Sequence, residues 1–194
     1  MLFRSSKNFT VTFSEAGGGG GGDVTNTITF SSGYTWFSLS VIASSNTVSD
    51  VFSNPVVNTQ ILSQTANTKY SSNFFGSSWN NQSFSFDNKN MYISFIPSPS
   101  TYVLTVTGST ENEASISLVS GWNWISYPSS TSKAVTALIT NQEANDQILS
   151  QTANTTYTSN FFGSSWNNPS FTFEPNKGYK YYTVNAKTLI ISYS

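Results

Sequence analysis

Few side chains in this sequence could do covalent or acid–base chemistry. There is no histidine and no cysteine. That removes Ser-His-Asp triads, Cys-His pairs, imidazole and thiolate metal sites, and disulfides. Carboxylate chemistry remains, in which two Asp or Glu residues flank a glycosidic bond. Asp87 and Glu174 occupy matched places in a repeat and read as turn residues. Glu111 and Glu113 fall between the repeats, and Glu143 and Asp146 flank a short loop. No pair stands out, and the acid–base repertoire is thin. The chain therefore reads as non-enzymatic, with no catalytic residue, no metal ligand set and no cofactor. The run Gly17 to Gly22 contains no Lys and fits neither GxxxxGK[ST] nor GxGxxG, so it is no phosphate cradle.

Binding is the chemistry left. Trp79, Asn80 and Asn81, with their twins Trp166, Asn167 and Asn168, place an indole beside amides on a loop. Such a group could stack on a sugar face while the amides bind hydroxyls, or it could meet a protein partner. The other reading is that each Trp folds back over its own unit. A second feature is the N-terminal arm. Phe9, Val11 and Phe13 alternate on one face of a strand over Asn8 to Phe13, and the tether Gly17 to Gly22 follows. Ordering such a tether is entropically expensive, which points to a neighbour holding the arm. Phe9, Val11, Phe13, Gly17 and Gly22 are thus expected to form an assembly anchor. Its strand would add to a sheet edge on a capsid or surface-assembly protein.

The elements that would position these groups come from a duplication. Gln60 to Phe86 and Gln147 to Phe173 differ only at Lys69/Thr156, Ser71/Thr158, Gln82/Pro169 and Ser85/Thr172. Such a repeat means one folding unit copied in tandem. The expected division is 1–22 for the arm and tether, 23–110 for the first module and 111–194 for the second. Short alternating strands with turns between them predict an all-β fold. Each module is a small antiparallel barrel or sandwich carrying a short helix. Those helices centre on Val48, Val51 and Phe52 and on Val135, Leu138 and Ile139. Caps are expected from Thr47 or Ser49 and from Ser132, and each helix should run two turns. Trp36 and Trp124 occupy equivalent places and are expected in the cores.

Composition limits the partners. Eight basic and nine acidic residues nearly cancel, so the footprint of nucleic-acid binding is missing. Aromatic residues make up 15% of the chain, enough apolar area to fold despite the Ser, Thr and Asn content. No segment is apolar enough for a membrane span. The opening residues lack a signal-peptide core, so the chain is expected to begin at its natural start.

Gly-Trp-Asn-Trp-Ile-Ser at Gly121 to Ser126, a short helix, Asp-Gln-Ile-Leu-Ser-Gln at Asp146 to Gln151, an aromatic-Gly-x-x-Trp segment and a closing Gly-Tyr strand form a pattern. It resembles a repeat module of microbial surface proteins, found also in proteins of algae and large algal viruses. The likeness covers Gly33 to about Thr107 and Gly121 to Ser194. The first unit departs from it with Thr59 for Asp146 and Met91 for Gly178. The resemblance implies a β-rich building block on the outside of a cell or particle and brings no catalytic residues. The resulting expectation is a structural protein of a virion: a minor capsid, cement or fibre component. The alternative is a carbohydrate-binding or adhesive module at an extracellular cell surface.

Overall fold

The computed structural model describes residues 10–15, 23–111, 113–161 and 163–192. The fold is all-β. The first unit contains β1 (Thr10–Glu15), β2 (Val24–Phe30), β3 (Gly33–Phe37), β4 (Ile42–Ala43), α1 (Val48–Val51), β5 (Gln60–Leu62), β6 (Asn67–Asn73), β7 (Gly76–Trp79), β8 (Tyr92–Ile96) and β9 (Tyr102–Ser109). The second contains β10 (Glu113–Leu118), β11 (Gly121–Ile125), β12 (Lys133–Ala134), α2 (Val135–Leu138), β13 (Gln147–Leu149), β14 (Asn154–Asn160), β15 (Gly163–Trp166), β16 (Thr172–Phe173), β17 (Tyr179–Thr183) and β18 (Lys187–Ser192).

Strand order in the first unit is β1-β2-β9-β4 and β3-β8-β5-β6-β7. The second repeats it as β10-β18 and β11-β17-β13-β14-β15, with β12-β16 as a small extra ladder. No barrel closes. The period-2 pattern of β2 and β10 explains their facing. Ile28 and Phe30, like Ile116 and Leu118, are buried, while the residues between them are more open. In the first unit these join Phe37, Ile61, Trp79, Tyr92 and Ile96 from the other sheet in one cluster. The second unit builds its own from Ile116, Leu118, Ile125, Ile148, Trp166, Tyr179 and Tyr181.

The helices are shorter than the pattern predicts. Each is a single turn. Thr47 caps α1 through its hydroxyl, which accepts from the Asp50 N–H. At α2 the cap position is Ala134 and not Ser132, with no side-chain bond. The backbone leaves the helical region at Phe52 and Ile139, whose N–H groups close the last bonds to the Val48 and Val135 carbonyls. Val48 and Val135 donate to the Phe84 and Phe171 carbonyls, which ties the start of each turn to the end of the repeated block.

The units meet reciprocally. The Gln64 amide donates to the Trp122 carbonyl at 2.8 Å and accepts from the Trp124 N–H at 2.7 Å. Gln151 does the same to Tyr34 and Trp36, at 2.8 and 2.9 Å. Ser38 N–H donates to the Asn176 carbonyl and Ser126 N–H to the Lys89 carbonyl. This is the pattern of an isologous dimer, made within one chain. Trp36 and Trp124 therefore do not enter the cores. They stand half-buried at this junction, and the Lys180 ammonium lies 4.6 Å from one ring and 5.0 Å from the other. Burial lowers the Lys180 pKa.

The Met91/Gly178 difference is resolved at the same junction. A Cβ on Gly178 would lie 2.2 Å from Met91 Cγ and 2.9 Å from the Phe37 carbonyl oxygen. The two equivalent positions converge, and Met91, fully buried, fills the space for both.

Gly178→Met should therefore overpack the junction, costing about 1–3 kcal/mol. Met91→Gly should leave a cavity and cost at least as much. Exchanging both, Met91→Gly with Gly178→Met, should cost clearly less than the sum. Thermal unfolding of the four proteins measures this coupling, and strict additivity would refute the shared space. A second expectation concerns alkali. Burial pushes the Tyr92 hydroxyl from 10.0 up to about 12, and pushes Tyr179 and Tyr181 up as well. The fold favours the neutral phenol. Its contribution is whole below the unfolded value near ~10 and is lost as pH rises through the folded value. Stability should fall between pH 10 and 12, less steeply in Tyr92→Phe, as read by denaturant unfolding across that range.

Candidate functional site

The most exposed apolar groups sit on two hairpins. β6 and β7 pair from Tyr70↔Trp79 to Asn73↔Gly76, leaving Phe74-Phe75 as the turn. Asn73 Oδ1 accepts from the Phe75 N–H at 2.9 Å, and Gly76 takes φ +123°, a conformation that suits a residue without Cβ. Phe74 is 96% exposed and Phe75 94%, and in the twin hairpin of β14 and β15 Phe161 is 97% exposed. Phe162 lies outside the described residues. The Phe74 and Phe75 rings meet only edge to face, at 5.5 Å and 89°. The hairpin shafts are polar, and every residue from Ser71 to Ser78 is exposed.

The roots are rigid. Trp79 and Trp166 are each 4% exposed. Trp79 packs against Tyr70 at 5.4 Å and Phe52 at 6.3 Å, and Trp166 against Tyr157 at 5.3 Å. This corrects the expectation of a sugar platform at these residues, because a covered indole cannot offer its face. The amides are engaged too. Asn80 Oδ1 accepts from the Lys69 N–H at 2.8 Å, and Asn167 Oδ1 from the Thr156 N–H at 2.9 Å. Asn81 and Asn168 donate to the Asn67 and Asn154 carbonyls and accept from Ser83 and Ser170. All six residues clamp the hairpin roots. The phenylalanines were legible only as a bend; their signal was an apolar pair before Gly between polar strands.

The arm also differs from its expected role. β1 runs antiparallel to β2 of the same chain, with Val11 opposite Ile28 and Phe13 opposite Asn26. It does not need a foreign sheet for its first set of partners. A strand tethered a few residues from an open edge sees a high effective concentration of that edge. Phe9, Gly17 and Gly22 lie outside the described residues.

The carboxylates do not form an acid–base pair. Asp87 Oδ1 accepts from the Lys89 N–H in its turn, and Glu174 pairs with Lys177 at 2.7 Å. Glu111 accepts from Asn88 at 3.4 Å, and Glu143 accepts from Asn185 at 2.8 Å. Asp146 is fully buried. It forms an ion pair with Lys187 and accepts from the Tyr181 hydroxyl and the Glu143 N–H, each at 2.8 Å. In the first unit Thr59, Ser94 and Tyr102 fill the corresponding places. Among the described residues no group of three acidic side chains could hold a metal ion, and no helix is long and apolar enough to cross a membrane.

Lys187→Met should strand a buried carboxylate and cost about 3–5 kcal/mol. Installing the whole first-unit set, Asp146→Thr with Tyr181→Ser and Lys187→Tyr, should cost less than that single change. Chemical denaturation of the two variants checks the order.

A scan against protein-family models and searches of curated proteins and of solved structures return no match.

Proposed function

We propose that this chain is a non-enzymatic structural building block of a particle surface, a virion component of the minor capsid, cement or fibre kind. Its two hairpin tips are the contacts to its neighbours. The observation that carries this reading is the near-complete exposure of Phe74, Phe75 and Phe161 on shafts clamped at the root by covered tryptophans. Burying one such ring is worth about 1.5–3 kcal/mol. A free monomer that leaves three of them in water has that free energy available for a partner. The scarcity of charge supports the same reading, since near-neutral surfaces associate. The likeness to modules of surface and viral proteins supplies the setting.

A second reading, an adhesive module that binds carbohydrate, is favoured by a different pair. Trp122 is 41% exposed and lies 5.3 Å from the Tyr182 ring. An aromatic pair on a sheet face can stack on a sugar.

Particles purified on a density gradient should carry the chain through a high-salt wash. The variant Phe74→Ser/Phe75→Ser/Phe161→Ser should stay folded yet lose at least about a hundredfold in retention, because three rings exceed the ~1.4 kcal/mol that each tenfold represents. Undiminished retention would sink the proposal. Saturable glycan binding abolished by Trp122→Ala would favour the adhesive reading instead.

A further inference from the structure

The duplication leaves one position filled in the first unit and open in the second. β2 is paired on both sides, by β9 and by β1. Its counterpart β10 is paired by β18 alone among the described residues. The two strands present the same face: Asn26, Ile28 and Phe30 are buried in one, and Ala114, Ile116 and Leu118 in the other. An edge of the β10 kind therefore accepts a strand, as β2 demonstrates. Among the described residues β1 is itself a terminal strand with one edge open. β1 and β10 are both six residues long. Their sequences, TVTFSE and EASISL, contain no Pro, Lys or Arg, the residues that blunt free edges.

Stoichiometry then selects the partner. Each chain supplies one arm and two acceptor edges of the same type. One arm serves both only by lying between β2 of its own chain and β10 of another. We infer that β10 is the docking edge for β1 of a second copy of this chain, joining copies head to tail. This deepens the assembly reading above and rests on it. The interface is heterologous, so it propagates to a filament or closes to a ring. An antiparallel pair, the orientation β1 already has on β2, brings Glu15 and Glu113 to the same end. Salt should therefore strengthen the contact by screening them.

Two blocked full-length variants test this. Val11→Pro/Phe13→Pro disables the arm, and Ser115→Lys/Ser117→Lys guards the β10 edge at exposed positions. Light scattering on a sizing column should show the wild type growing beyond monomer with concentration and salt. Each variant, with its β circular dichroism retained, should remain monomeric. Their mixture should give a species of twice the monomer mass, because one still offers an arm and the other an edge. A wild type that stays monomeric throughout, or a mixture that forms no dimer, overturns the inference. So does an arm-blocked variant that still associates, and that last result leaves the hairpin tips as the contact.

Discussion

A sheet that ends leaves a row of backbone N–H and C=O groups without strand partners, and this chain is organised by what it does with its edges. The outer edges of β3 and β11 are answered by glutamines. Each amide gives one donor and one acceptor to a strand that has only a single-residue bridge on that side, much as a residue of an added strand would. Because the glutamine on each unit serves the other, closing these edges and joining the units are one event. Duplication thus solved a problem that a single unit would face alone. An isolated copy would expose both its edge strand and an unemployed glutamine.

A perfect repeat could not have been kept, however. Positions that coincide near the junction cannot both hold the same side chain. Met91 and Gly178 divide one space between them. Lys180 sits between two tryptophans, whereas Ile93 occupies its place in the other unit. Where the contacts are reciprocal and do not coincide, as at Gln64 and Gln151, the repeated block has stayed nearly identical. The buried Asp146–Lys187 pair is a different kind of divergence. The first unit folds with Thr59, Ser94 and Tyr102 instead, so the architecture does not demand the ions. Buried pairs are weak sources of net stability, and this one matters chiefly through the penalty for leaving either member alone.

Much of the fold was legible because alternation, turn residues and repetition are local signals. β2, β5, β8, β9 and their twins follow from them directly, whereas β7 and β15 stand where the pattern gives only a bend. The helices are shorter than their apolar pattern predicts. Val135, Leu138 and Ile139 share a helical face, but the backbone is already extended at Ile139, and tertiary context overrode the local pattern. The sequence points Trp36 and Trp124 into the cores because a large aromatic in a strand normally is buried there; nothing local announces that a second unit will supply the cover. Trp79 and Trp166 illustrate the converse. Their Asn and Ser neighbours looked like a binding loop, whereas those amides are consumed in holding backbone at the hairpin root. The tips carried a weaker pattern, two apolar residues before a glycine. Exposure is a property of the whole surface and leaves no mark in the sequence.

The two classes of open feature have different physics. Aromatic tips offer non-directional burial, and a hairpin standing clear of the body would be marginal by itself. The buried Trp at each root turns it into a stiff post, so a ring bound at the tip costs little ordering entropy. A single tip is a small contact and therefore a weak one. Two on one rigid chain make the second engagement intramolecular wherever geometry allows both to bind, which multiplies the retention without any new chemistry. Strand edges instead give directional hydrogen bonds and fix orientation and register. The proposed building block would use both kinds, one to adhere and one to align. In this chain they lie on different elements: the first on β6–β7 and β14–β15, the second on β1 and β10.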